Sequence, residues 1–106
     1  MSKYVRDLNE TALDNELRQS KEPILIDFWA PWCGPCRAMS PAVEAAAEKL
    51  AGDAKVFKIN VDHNPSVSPC FNLRGIPTLI LFKDGREMNR LVGLSSREQI
   101  EALVKY

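Results

Sequence analysis

Two short apolar segments on either side of a helix-forming segment constrain the fold of this 106-residue chain most strongly. The first, ILIDFWA, spans residues 24–30, and the second, KVFKINV, spans residues 55–61. Both are rich in β-branched or aromatic residues, which is typical of buried strands. Between them, residues 34–51 are rich in Ala, Glu, Lys and Leu, and predict a helix that Gly52 ends. Strand, helix and strand within about 40 residues predict a right-handed βαβ unit.

The flanking segments predict the remaining strands and helices. Residues 3–7 predict a short first strand, and Asn9 an N-cap for the helix that follows. Asn64 and Pro65 suggest the cap and the first-turn proline of a short third helix. Residues 78–83 and 87–92 predict a hairpin with its turn at residues 84–85, and Ser95 with Glu98 predicts a capping box. The order β-α-β-α-β-α-β-β-α favours an α/β fold in which helices cover both faces of a mixed sheet.

Length and charge limit the domain organisation and the partners. The length favours one domain over residues 1–106. A formal net charge of zero argues against nucleic acid as a partner. No apolar run reaches the length of about 18 residues expected for a membrane span, and the N-terminus has no apolar signal region, so we expect a cytoplasmic protein. Without a large evident apolar patch, a monomer is the default expectation.

The cysteine pair is the main candidate for chemistry. Cys33 and Cys36 are separated by Gly34 and Pro35, at the junction of the predicted second strand and long helix. A sulfur at the N-cap would meet the free amide of Cys36 and the positive helix end, both of which favour a thiolate. Cys33 could then attack a substrate disulfide, and Cys36 could resolve the mixed disulfide.

Asp27 is the candidate base for this chemistry. It interrupts an apolar strand, where burial should raise its pKa towards the range that is useful for proton transfer. Strand alternation places Leu25, Asp27 and Trp29 on one face of the sheet, with Lys58 as the matching charge on the neighbouring strand. A buried Asp27–Lys58 pair without a role in turnover is an equally weighted alternative.

A zinc site and a structural disulfide are weaker alternatives. A structural zinc site normally has four ligands. The available set is Cys33, Cys36, Cys70 and His63, and the last two lack the usual ligand spacing. A permanent disulfide across so short a loop would add little stability. We therefore expect no metal site.

The motifs of the whole chain resemble the thioredoxin family. The matching segments are DFWAPWCGPCR from Asp27, Pro41, KINVD from Lys58, RGIPTLILFKDG from Arg74 and LVG from Leu91. The resemblance implies a thioredoxin fold, with a central mixed five-stranded β-sheet flanked by four α-helices. It also implies a thiol-disulfide oxidoreductase that reduces protein disulfides.

The resemblance assigns roles to individual residues. Cys33 would be the nucleophile and Cys36 the resolving thiol, while Asp27 would assist proton transfer with Lys58 nearby. Substrate would bind at an apolar rim, to which Pro77 would contribute as a cis proline; the rim residues are Trp32, Ile76, Pro77, Val92 and Gly93.

The family also implies how the dithiol is recycled and in which direction it works. Relatives that act as oxidants or isomerases often carry histidine between the cysteines, whereas Gly34 and Pro35 offer no charge to stabilise the reduced form. This favours a reductase over an oxidant or isomerase. A thioredoxin reductase would restore the dithiol, NADPH would enter only through that enzyme, and no cofactor would be bound. A binding module that uses the apolar rim, with incidental thiols, is the other alternative.

Cys70 is not required by the family pattern. We expect it to be an inert, partly buried thiol, because buried free cysteines commonly serve only in packing. A regulatory or dimerising thiol is the alternative.

Overall fold

A computed structural model describes residues 2–105, with five strands and four helices in the predicted order. The elements are β1 Val5–Asp7, α1 Glu10–Gln19, β2 Ile24–Trp29, α2 Gly34–Leu50, β3 Lys55–Asn60, α3 Val67–Cys70, β4 Thr78–Lys83, β5 Arg86–Val92 and α4 Arg97–Val104. The first strand is shorter than predicted, while β4 has the predicted bounds. At the hairpin turn, Asp84 and Gly85 both have positive φ values of 54° and 78°, as a type I′ turn requires.

The five strands form one mixed sheet in the order β1-β3-β2-β4-β5. Strands β1 and β2 both run parallel to β3, while β4 runs antiparallel to β2 and to β5. The predicted βαβ unit is therefore the centre of the sheet, and the predicted α/β class is confirmed. Strand β2 lies in the middle, so the residues that follow it emerge at the centre of one edge.

Two apolar layers cover the faces of the sheet, as the strand alternation predicts. Leu25 packs on one face with residues of α2 and α4, including Val43 and Ile100. Ile26 and Phe28 pack on the other face, together with apolar residues of α1 and α3. Because alternate β2 side chains reach opposite layers, Asp27 lies on the face that α2 covers.

The last helix begins one residue later than predicted. The capping box is formed by Ser96 and Gln99, with reciprocal hydrogen bonds of 3.1 Å and 2.8 Å, and not by Ser95 and Glu98. Ser95 is buried, and its N–H points to the Met39 sulfur at 3.4 Å. That packing fixes Ser95 before the helix, so the next serine becomes the cap.

The short third helix also differs from the prediction. It begins at Val67, and Ser66 holds the N-cap position, so Asn64 is not the cap. The Asn64 side chain instead accepts the Glu10 N–H at 2.8 Å and donates to the Asn60 carbonyl at 2.9 Å. This amide joins the start of α1 to the end of β3, and that tertiary contact removes it from helix capping. By contrast, Asn9 caps α1 as predicted, since its side chain accepts the Ala12 N–H.

Candidate active site

The end of β2 places the two cysteines at the start of α2. Cys33 is the N-cap residue, and its sulfur accepts the Cys36 N–H at 3.1 Å. A disulfide joins Cys33 to Cys36, and both residues are buried. The predicted capping geometry is confirmed. In the dithiol form, the same N–H and the positive helix end would favour a Cys33 thiolate.

Gly34 and Pro35 occupy the first two positions of α2, and both are exposed. Proline is accepted there because first-turn amides have no intrahelical partner. Neither residue brings a charge to the sulfurs. Arg37 follows in the next turn, and its guanidinium donates to the Pro31 carbonyl at 2.8 Å. Arg37 thus ties the cysteine loop to the helix, a contact that the sequence did not reveal.

Asp27 lies beneath the cysteines as a buried carboxyl. Its exposed fraction is 7%, and Oδ1 has no hydrogen-bond partner within residues 2–105. Burial raises the pKa of Asp27 from 3.8 to about 7, against a smaller opposing effect of the Lys58 charge. A cavity of about 80 Å³ is lined by both Asp27 and Cys36, which is room enough for a water molecule.

Lys58 is beside Asp27 but does not form a direct ion pair with it. The two residues are register partners across β2 and β3, as the strand pattern predicts. The Lys58 ammonium lies 4.0 Å from an Asp7 carboxylate oxygen and 5.3 Å from the centre of the Trp29 ring. Within the part of the chain that the structure describes, Lys58 therefore acts on Asp27 through its charge alone.

Trp29 supports the site from below. Its ring packs against a small cluster that contains Ala30, Cys33 and Cys36. The indole N–H is buried and has no partner in the described part of the chain. Trp29 is therefore part of the apolar packing beneath the disulfide.

Trp32 stands at the surface beside the disulfide. Its exposed fraction is 67%, which excludes the packing role of an ordinary core tryptophan. The indole N–H is shared between the two carboxylate oxygens of Asp62, at 3.0 Å and 3.2 Å. Asp62 was not singled out from the sequence, because its partner lies 30 positions away along the chain.

Two loops bring the other predicted rim residues to the same face. Ile76 packs against the cysteine cluster, and its carbonyl oxygen lies 3.7 Å from the Cys33 sulfur. The Ile76–Pro77 peptide bond is cis, as the family resemblance implies. The Pro77 carbonyl accepts the Gly93 N–H at 2.8 Å, and Val92 next to it is 59% exposed.

Cys70 is exposed, so the prediction of a partly buried thiol is wrong. It ends the short helix α3, whose inward face is held by Val67. Cys70 lines a surface pocket together with Val67 and Phe71, where it stays exposed and does not enter the core.

Residues 2–105 contain neither a metal-binding cluster nor a membrane-spanning helix. Among residues 2–105, no group of three or more His, Cys, Asp or Glu side chains is arranged to hold a metal ion. Within the same range, no helix is both long and apolar enough to cross a membrane.

Known proteins resemble the chain along nearly its full length. The family model for thioredoxin matches residues 4–106. A thioredoxin from Alicyclobacillus acidocaldarius is 51% identical over 84 residues, covering 79% of this chain and 80% of the relative. A Pseudomonas aeruginosa thioredoxin is 36% identical over 104 residues, covering 98% and 96%.

A solved structure agrees with these matches. A mutant thioredoxin from Halobacterium salinarum superposes with a TM-score of 0.85 and 37% identity, covering 95% of this chain and 88% of the other. Both chains share the thioredoxin fold, and the Cys33–Cys36 disulfide occupies the place of a Cys-x-x-Cys active site. The chain therefore belongs to the thioredoxin family, and it is a thiol-disulfide oxidoreductase that reduces protein disulfides.

Proposed function

We propose that Cys33 is the attacking thiol and Cys36 the resolving thiol. The observation that carries this assignment is the N-cap bond from the Cys36 N–H to the Cys33 sulfur at 3.1 Å. The Cys33 thiolate attacks one substrate sulfur, forms a mixed disulfide and expels the other substrate sulfur as a thiolate. The Cys36 thiolate then attacks the Cys33 sulfur and releases the second substrate thiol. Two electrons pass from the dithiol to the substrate, and the Cys33–Cys36 disulfide remains.

In this proposal, Asp27 accepts the proton that Cys36 must lose before it can attack. The shared cavity allows a water molecule to carry that proton. Because the pKa of Asp27 is about 7, the carboxylate can accept a proton near neutral pH and lose it again afterwards. Lys58 serves this step by keeping the pKa from rising further.

The pH dependence of substrate release tests the role of Asp27. We expect Asp27→Asn to release the mixed disulfide about tenfold or more slowly at neutral pH, as for loss of a general base. The difference should shrink at alkaline pH, where Cys36 ionises without help. Lys58→Met should move the pH midpoint of release upwards, because its charge lowers the pKa of Asp27. An unchanged midpoint in Lys58→Met would exclude Asp27 as the titrating group.

The proposed substrate face consists of the rim residues Trp32, Ile76, Pro77, Val92 and Gly93. Trp32 and Val92 offer exposed apolar surface, and the Ile76 backbone lies next to the reactive sulfur. Pro77 has no N–H that could compete for the substrate backbone. An extended substrate segment can therefore pair with the backbone at Ile76 while its sulfur meets Cys33.

Gly34 and Pro35 underlie the proposed direction of electron flow. Because neither residue brings a charge to the Cys33 thiolate, the reduced form is less stable than in relatives with histidine between the cysteines. The dithiol–disulfide couple is therefore more reducing than in those relatives. We assign the recycling step to a thioredoxin reductase, with NADPH entering only through that partner and no cofactor bound to the chain. A stable pool of dithiol fits a reducing compartment, so we place the protein in the cytoplasm. We also propose that it is a monomer of one domain.

The direct test is the reduction of a protein disulfide such as insulin, driven by NADPH and thioredoxin reductase. We expect Cys33→Ser and Cys36→Ser to lose steady-state turnover. Cys70→Ser is the matched control because Cys70 is an exposed cysteine outside the site, and it should retain turnover. Wild-type turnover by Cys33→Ser would refute the mechanism. Retention of biological function by a variant lacking both active-site cysteines would favour a pure binding role.

A further inference from the structure

A cleft beside the disulfide lies where substrate residues would bind. The cleft has a volume of about 230 Å³, and its apolar wall includes Trp32, Leu73 and Ile76. Ile76 joins the cleft to the reactive sulfur, since its carbonyl lies 3.7 Å from Cys33 Sγ. When a substrate disulfide contacts Cys33, the substrate residues next to that disulfide therefore lie beside this cleft.

Arg74 supplies a positive charge to the cleft wall. The residue is exposed, and within residues 2–105 it has no ion-pair or hydrogen-bond partner. Two other arginines do have partners: Arg90 binds Glu87, and Arg37 donates to a backbone carbonyl. An arginine stays charged at any physiological pH and offers a planar set of donors that matches a carboxylate.

The charge of Arg74 is not part of an overall positive charge, because the formal net charge of the chain is zero. Salt screens an exposed charge beyond about 8 Å, so Arg74 acts mainly on groups near the cleft. Asp62, whose carboxylate borders this site, accepts the Trp32 indole N–H with both oxygens. Asp62 does not line the cleft, whereas Arg74 does. A substrate side chain that enters the cleft therefore meets a cation and not an anion.

We propose that Arg74 selects disulfides that have an Asp or Glu close to the reactive cysteine. This inference rests on the proposed function, because it assumes that substrate lies on the face formed by Trp32 and Ile76. The apolar wall holds the substrate chain, and the guanidinium pairs with its carboxylate. Arg74 is two positions before Ile76, whose carbonyl lies beside the Cys33 sulfur. Because an extended chain advances about 3.3 Å per residue, we place the selected carboxylate within about three residues of the substrate cysteine.

A series of blocked peptide disulfides tests this selection. Each peptide has one cysteine and a single Glu, Gln or Lys, placed in turn at each of three positions on either side. The second-order rate constant with pre-reduced protein is divided by the rate with dithiothreitol, which removes differences in intrinsic reactivity. Cys33→Ser provides the blank for reaction at Cys70.

Wild-type protein should reduce the best-placed Glu peptide about tenfold faster than its Lys counterpart, since attraction is replaced by repulsion. The ratio should fall towards one at about 1 M salt, where the Debye length is only about 3 Å. Arg74→Glu should reverse the order, Arg74→Gln should remove it and Arg74→Lys should keep it. Arg86→Glu, at the far end of the β4–β5 hairpin, is the matched control and should keep the wild-type ratio.

Two results would overturn the selection: a wild-type ratio at or below one at every position, or a ratio that Arg74→Glu leaves unchanged. A preference for Lys peptides would assign the dominant charge to Asp62 instead. Failure of the proposed function has a separate signature. The neutral 2-hydroxyethyl disulfide would then not be reduced by wild-type protein, or would be reduced equally well by Cys33→Ser.

Discussion

At the scale of single residues, Asp27 has the most unusual environment in the site. A carboxyl group that is 7% exposed and has an unpartnered oxygen is stable in the fold mainly in its protonated form. Its pKa of about 7 therefore reflects a cost of ionisation in the folded state. Stability is sacrificed at a position where a proton acceptor near neutral pH is useful.

That cost predicts how stability changes with pH. Below about pH 4 both states hold the Asp27 proton, and between about pH 4 and 7 only the folded state holds it. The free energy of unfolding should thus fall as pH rises through this range and level off above it. Asp27→Asn should be more stable than wild type by at most about 4 kcal/mol near pH 8, and by little near pH 4.

Urea unfolding of both proteins in the disulfide form measures this difference without titration of Cys33 or Cys36. Asp53→Asn is the control, because Asp53 is exposed and should show no such pH-dependent gain. A gain that is the same at pH 4 and pH 8 would contradict the proposed ionisation of Asp27.

At the scale of elements, the first turn of α2 sets the redox chemistry. Pro35 lies in the first turn between the two cysteines and has no charge. Pro35→His should stabilise the Cys33 thiolate and make the couple more oxidising by about 30 mV or more, since 30 mV corresponds to about 1.4 kcal/mol. Equilibration with a glutathione redox buffer measures the potential, with Pro65→His as a control outside the site. A potential that is unchanged or more reducing in Pro35→His would contradict this account.

The start of α4 gives a second prediction at this scale. Ser96→Ala should lower the free energy of unfolding by about 1 kcal/mol, because the cap bond to the Gln99 N–H is lost. Glu98→Ala should change it by less than about 0.5 kcal/mol, because Glu98 is not part of the capping box. Urea unfolding distinguishes the two, and the reverse order would favour the Ser95–Glu98 cap.

These elements also show what local patterns can and cannot predict. The strands of the βαβ unit are visible in the sequence because buried strands need long apolar runs. The cap is ambiguous, because Ser95 with Glu98 and Ser96 with Gln99 both fit the capping-box pattern. The choice depends on the contact between the Ser95 N–H and Met39, which are 56 positions apart.

In the active site, too, some features follow from local sequence patterns and others do not. The N-cap geometry of Cys33 follows from a strand that runs directly into a helix, so the motif predicts it. The partner of Trp32 and the cleft beside Arg74 arise from segments that meet only in the folded chain. Local sequence patterns do not predict contacts between distant segments. The family resemblance did predict that Pro77 and Gly93 belong to the site.

At the scale of the whole molecule, the sheet order explains why the site is assembled at one edge. Strand β2 lies between β3 and β4, so its end delivers the cysteines between the loop after β3 and the loop before β4. Asp62 enters from the first loop and Ile76 from the second. The end of β5 adds Val92, which is the register partner of Thr78. The order of the strands therefore brings the reactive cysteines and the proposed substrate face to the same edge of the sheet.

Trapping of the mixed disulfide distinguishes the attacking thiol, Cys33, from the resolving thiol, Cys36. Each variant is reduced, incubated with a disulfide-containing protein and digested, and the cross-linked peptides are identified by mass spectrometry. Cys70→Ser is included in every variant, so that the exposed third thiol cannot react. We expect Cys36→Ser to accumulate a one-to-one adduct through Cys33, and Cys33→Ser to accumulate none. A stable adduct through Cys36 in the Cys33→Ser protein would contradict the assigned roles of the two thiols.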